Sequence, residues 1–140
     1  MHVSESALVS RWRLDDALMK GTIRNRRLIQ EISKFIEEHL DSNLSVTELA
    51  KYTSYSREQF IRIFKQVTGM PPSLYIRYIR VEQAKKWLAG TEMSVTEVAG
   101  KVGYENVNSF TRMFQDAVGM SPSMYRNIQE EMTHTDNNKP

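Results

Sequence analysis

The 140-residue sequence contains no cysteine, and that absence removes disulfides, thiolate metal sites and cysteine nucleophiles together. No apolar run approaches the roughly 18 to 20 residues that a bilayer-spanning helix needs, and no signal-peptide pattern opens the chain. Both observations fit a cytoplasmic protein with no membrane insertion by this segment. Asn-Gly and Asp-Gly hairpin turns are missing, as are alternating strand runs, which argues against β-structure. There is no glycine-rich phosphate loop. His2, His39 and His134 are scattered, so the chain offers no obvious acid–base or metal-ligating cluster. Neither an enzyme nor a cofactor is expected.

What is present describes a folding sequence. Hydrophobic residues make up 40% and charged ones 26%, outside the disordered range. The length suits one ordinary domain, or two very small ones sharing a core. A net charge of +2 is mild, but it is unevenly spread. Arg57, Arg62, Lys65, Arg77, Arg80, Lys85 and Lys86 face only Glu58 and Glu82 over one stretch, a surplus of five positive charges. Acids collect elsewhere, at Glu37, Glu38, Asp41, Glu130 and Glu131. Such a basic zone is what a phosphate-facing surface leaves in a sequence. On charge alone a solvated helix face explains it equally well.

Along the chain, residues 1–22 carry no strong pattern, and Gly21 with Thr22 interrupts the short helix they could form. They are expected to be a linker, or the tail of an upstream domain. From Asn25, Leu28, Ile32, Phe35, Ile36 and Leu40 recur at helical spacing and end in "DSN". The remainder reads as helices with short punctuation. Residues 23–91 form a first subdomain with a linker helix, 92–129 a second, and 130–140, ending "THTDNNKP", a disordered tail.

The two subdomains repeat one text. Ser45, Val46, Thr47, Glu48, Ala50 and Tyr55 match Ser94, Val95, Thr96, Glu97, Ala99 and Tyr104 at an offset of 49. Phe60, Arg62, Phe64, Gly69, Met70, Pro72, Ser73 and Tyr75 then match Phe110, Arg112, Phe114, Gly119, Met120, Pro122, Ser123 and Tyr125 at an offset of 50. Two copies fall short of the three or more units that a solenoid needs. In each copy a serine N-cap stands three residues before a glutamate, the capping-box pattern. A short helix, a turn, and a second helix stopped by Gly69 or Gly119 follow, and Pro72 or Pro122 starts the next element. Two short helices with a small alanine at their crossing make a helix-turn-helix. Inward positions are Phe60, Ile63, Phe64 and Val67 in one copy, and Phe110, Met113, Phe114 and Ala117 with Val118 in the other.

The stretch from Leu44 to Arg126 resembles the DNA-binding domain of AraC/XylS-type transcription regulators, and with the preceding helix the likeness covers about 100 residues. Its most specific part is "VAGKVGYENVNSFTRMFQDAVGMSPSMYR", which follows the family signature position by position. The resemblance implies an all-α fold of two helix-turn-helix subdomains joined by a long helix, about seven helices in all. It also implies sequence-specific binding of promoter double-stranded DNA, transcription activation, and RNA polymerase as a second partner, in the cytoplasm at the nucleoid. The domain itself is expected to be monomeric, with dimerisation of a longer regulator left to a further domain. The competing expectation is a helical protein-interaction module, or an anti-regulator that keeps the fold without reading DNA.

A recognition helix reads base edges through its outer face while its inner face holds the core. In the first copy that outer face is Arg57, Glu58, Ile61, Arg62 and Lys65. In the second it is Val107, Asn108, Thr111, Arg112 and Gln115. Arginine suits guanine, asparagine suits adenine, and valine or a threonine methyl suits the thymine methyl. Arg62 and Arg112 are equivalent, and both fall where the family places DNA contacts. The competing role for Arg62 is an i, i+4 ion pair with Glu58, and for Arg112 one with Asp116. Ser45, Ser56, Ser94 and Asn106 head helices and are candidates for phosphate anchoring, alongside ordinary capping. The linker, "PPSLYIRYIRVEQAKKWLAG", is expected to present Leu74, Tyr75, Tyr78, Ile79, Ala84, Trp87 and Leu88 on one apolar face. About 18 residues span roughly 27 Å, close to the roughly 34 Å between successive major grooves.

Overall fold

The computed structural model describes the backbone of residues 5–137 and the side chains of residues 22–133. Among the described residues all regular elements are helices: α1 (Glu5–Glu38), α2 (Val46–Lys51), α3 (Arg57–Thr68), α4 (Pro72–Gly90), α5 (Val95–Lys101), α6 (Val107–Val118) and α7 (Pro122–Asn137).

The capping chemistry explains most boundaries. Ser45 accepts from the Glu48 amide at 3.0 Å and Ser94 from the Glu97 amide at 3.1 Å, starting α2 and α5. The reciprocal half of the box forms elsewhere. The Ser56 amide donates to Gln59 Oε1 while the Gln59 amide donates to Ser56 Oγ, closing a full capping box on α3. The Glu48 carboxylate instead takes Lys51 at 3.0 Å. Asn106 caps α6 by accepting from the Asn108 and Ser109 amides. Gly69 and Gly119 end α3 and α6 at φ +86° and +88°, left-handed backbone that a side chain disfavours.

Two apolar cores result. The first joins Ile29, Ile32, Ile36 and Leu40 of the α1 region, Leu49 and Ala50 of α2, Phe60, Ile63 and Phe64 of α3, and Ile76 of α4. The second joins Val81, Ala84 and Leu88 of α4 with Val98, Ala99, Val102, Phe110, Met113 and Phe114. The aromatic packing is duplicated. Phe64 meets Tyr75 edge-on at 5.2 Å, and Phe114 meets Tyr125 edge-on at 5.7 Å. Arg126 pins α7 to α4 through its Nε, which donates to the Leu88 carbonyl at 2.9 Å.

Several expectations are corrected. Helix α1 runs without a break through Gly21 and Thr22, because one glycine costs a helix only about 1 kcal/mol against alanine. Helix α7 continues through residues 130–137 instead of fraying at 130. Residues 1–4 and 138–140 of the expected termini lie outside the described residues, as do His2 and the His134 side chain. The linker helix does not present one apolar face. At 100° per residue, Tyr75, Ile76 and Ile79 point to the first core and Val81, Ala84 and Leu88 to nearly the opposite side. Leu74 and Tyr78 fall between these duties and stand 52% exposed. Ala117 is exposed, and Val118 packs on the second core in its place.

Candidate nucleic-acid interface

Helices α3 and α6 are second helices of the two helix-turn-helix units, and each buries one side in its own core. Phe60, Ile63 and Phe64 hold α3, and Phe110, Met113 and Phe114 hold α6. The opposite side is thereby fixed in direction, since residues three and four apart share a face. On α3 this outer side carries Arg57, Glu58, Arg62 and Lys65, all exposed, with Ile61 half-buried beside them. On α6 it carries exposed Asn108, Arg112 and Gln115, with Thr111 half-buried. Val107 is the weakest member of the expected set. It is half-buried against the second core, so only part of its side chain is left for an outside partner.

The cations on this surface are uncommitted. Among the described residues the ion pairs join Lys51 to Glu48 and Lys85 to Glu82. Neither Arg62–Glu58 nor Arg112–Asp116 forms one. The intrahelical alternative for both arginines is therefore not taken up, and their guanidinium forks remain available. The four cap residues Ser45, Ser56, Ser94 and Asn106 all accept backbone N–H bonds, so capping is an occupied role at each. Their donors, the serine hydroxyl protons and the Asn106 amide hydrogens, stay free of that duty.

The basic stretch is less uniform than its sequence suggests. Lys85 is neutralised by Glu82 at 3.3 Å. Arg80 turns away into the junction between the subdomains, where its Nη2 donates to the Ser42 carbonyl at 3.3 Å. That leaves Arg57, Arg62, Lys65, Arg77 and Lys86 as its exposed, unpaired cations. Sequence reasoning missed the structural arginines Arg80 and Arg126, which pattern alone does not separate from surface cations. His39 has a local role, stacked on Phe35 with ring centroids 4.0 Å apart. No cluster of potential metal ligands and no helix long and apolar enough to cross a membrane occurs among the described residues.

Comparison with known proteins agrees with this architecture. Residues 49–128 match a family model described as a helix-turn-helix domain. The chain is 35% identical over 107 residues to the HTH-type transcriptional activator AarP of Providencia stuartii, covering 76% of this chain and 79% of that protein. It is 37% identical over 93 residues to the uncharacterized HTH-type transcriptional regulator YobQ of Bacillus subtilis, covering 66% of this chain but only 39% of that regulator. Among solved structures it is similar to the DNA-binding domain of AdpA, a global transcriptional factor, in complex with a target DNA. That likeness has a TM-score of 0.71 and 32% identity, over 74% of this chain and 94% of that one. Two capped helix-turn-helix units on one shared helix, matched in sequence and in shape, show that the chain belongs to the AraC/XylS-type helix-turn-helix family.

Proposed function

We propose that this chain binds double-stranded DNA at specific sequences and regulates transcription, with α3 and α6 as its two reading helices. The observation that carries the proposal is the equivalence of Arg62 and Arg112. Both stand exposed and unpaired on the outer face of a helix whose inner face is locked into a core. Arg62 and Arg112 would contact guanines, Asn108 an adenine, and Ile61 and Thr111 thymine methyls. Glu58 accepts from cytosine N4, Gln115 is a further base contact, and Val107 contributes an apolar edge. Arg57, Lys65 and the spare donors of Ser45, Ser56, Ser94 and Asn106 serve backbone phosphates, which position the protein without reading sequence. The 19-residue α4, about 28 Å long, sets the two helices near one groove repeat apart, for adjacent major grooves.

A protein-interaction module would need an apolar outer face on α3 and α6, and theirs is polar and cationic. The likeness to AarP, named an activator, favours activation with RNA polymerase as a second partner. With DNA as its partner, the chain would act in the cytoplasm at the nucleoid. A protein of this kind works as a regulator and not as an enzyme, and one chain with two reading helices binds as a monomer. A longer regulator would dimerise through a further domain.

The test is gel retardation of a promoter pool at about 50 mM salt, repeated at rising salt. Retardation is expected, with affinity falling by roughly 1000-fold by 200 mM if about six phosphates are contacted. A pool that stays unshifted at the lowest salt overturns the proposal.

A further inference from the structure

The two cores share α4 but share no buried residue, so the angle between the subdomains rests on α4 and on the contacts that bridge them beside it. At their junction a cleft of about 490 Å³ opens, lined by Asp41, Ser42, Asn43, Tyr104, Glu105 and Asn106 among others. Beside it a single side chain touches both sides. Arg80 leaves the middle of α4, donates through Nη2 to the Ser42 carbonyl of the first subdomain, and lays its guanidinium 5.6 Å from the ring centre of Tyr104 in the second. Its Nε is shielded from solvent and has no hydrogen-bond partner. A guanidinium held there despite one unsatisfied donor is held by its two neighbours.

The sequence around it is shaped to admit this side chain. Gly103, in the turn between α5 and α6, has φ +94°. A Cβ there would collide with the Leu40 carbonyl and come within 3.0 Å of Arg80 Nη2. The carbonyl that receives this end of Arg80 belongs to the turn just after α1, where the helix dipole is negative. The planar fork can donate to a carbonyl and stack on an aromatic ring at once, which an ammonium group cannot do as well.

We infer that Arg80 is a positioning residue, the latch that sets the relative placement of α3 and α6, and so makes the protein select operators by the spacing between their two half-sites. The inference rests on the DNA-reading role proposed above for these two helices. Inserting one base pair moves the second half-site by about 3.4 Å and turns it by roughly a tenth of a helical turn. A latched pair of helices cannot follow that displacement, whereas an unlatched pair follows it by flexing.

The experiment has two arms. In the first, Lys51 and Lys101, exposed on α2 and α5, are replaced by cysteine and spin-labelled, which is clean because the chain has no cysteine of its own. The distance distribution in the free protein is expected to be narrow, and broadened in Arg80→Ala. In the second arm, operators selected with the unaltered protein are rebuilt with spacers one and two base pairs longer or shorter. The unaltered protein should lose about tenfold or more per altered spacer, while Arg80→Ala should lose less than about threefold across the set yet bind an isolated half-site unchanged. Arg80→Lys keeps the charge without the fork and should behave like the alanine variant. It carries the test if Arg80→Ala does not fold. A spacer profile and distance distribution unchanged in both variants overturn the latch. A protein that selects no operator overturns the DNA reading instead, and the distance measurement then still decides the latch.

Discussion

The two helix-turn-helix units are built from the same parts, yet they are joined to the rest of the molecule differently. In each, the tyrosine of the turn reaches back to the long helix that precedes the unit. Tyr55 donates to Asn25 Oδ1 of α1 at 2.7 Å, a neutral hydrogen bond. Tyr104 offers its ring to Arg80 of α4. The residue before each tyrosine differs accordingly. Ser54 is exposed and its backbone is ordinary, whereas Gly103 is left-handed and pressed against Leu40 and Arg80. The inner faces of the repeat are thus near-copies, while the outer faces and the joints have diverged. Copying was possible where only a core had to be filled. Divergence was required where a second surface had to be met.

The first way to sharpen this comparison is to break one core and watch the other. Phe60 and Phe110 are both fully buried, and truncating either to alanine should cost about 3 to 5 kcal/mol, read from the denaturant midpoint. Hydrogen exchange should then show protection lost first in α2 and α3 for Phe60→Ala, and in α5 and α6 for Phe110→Ala. Equal loss throughout would mean that the two cores open as one.

The next largest effect should separate the two turns. Gly103→Ala forces a side chain into left-handed backbone and against a carbonyl, and should cost about 3 kcal/mol. The equivalent Ser54→Ala should stay within about 0.5 kcal/mol. Thermal melts of the pair check this, and similar values would deny that only the second turn is wedged.

On the outer faces, Arg62→Ala and Arg112→Ala should each weaken specific DNA binding by roughly 1 to 3 kcal/mol, with circular dichroism unchanged. Loss of helix in either would make that arginine structural. The smallest difference is expected at the caps. Ser45→Ala and Ser94→Ala should each cost about 1 kcal/mol. Ser56→Ala should cost no more than these, because alanine keeps the backbone amide that donates to Gln59 Oε1 and only the Oγ half of the capping box is lost.

Much of this architecture was legible in the sequence because it is encoded locally. Serine and asparagine caps, glycine stops and phenylalanines at helical spacing each act within one or two turns of chain. They were enough to mark both helix-turn-helix units, and the family resemblance they carry supplied the count of about seven helices. What was not legible depends on partners distant in sequence. The face of α4 could not be read as a stripe, because its two halves serve different cores and its apolar residues therefore lie around the helix. Ala117 and Val118 were indistinguishable by spacing, since neighbouring positions both border the buried arc. Arg80 belongs to a basic stretch and differs from Arg77 only in what it meets, a carbonyl 38 residues away. The outer face, by contrast, followed from the inner one, although Ile61, Val107 and Thr111 lie half-buried within it.

Sharing α4 between two cores has a consequence for how this protein can change over generations. Neither half can be excised or exchanged whole without exposing apolar surface that the other half does not cover. A substitution in the middle of α4 is felt on both sides at once, so that helix is answerable to two constraints where α3 and α6 each answer to one. The reading faces are free to diversify against new targets. The helix that joins them is bound by both cores.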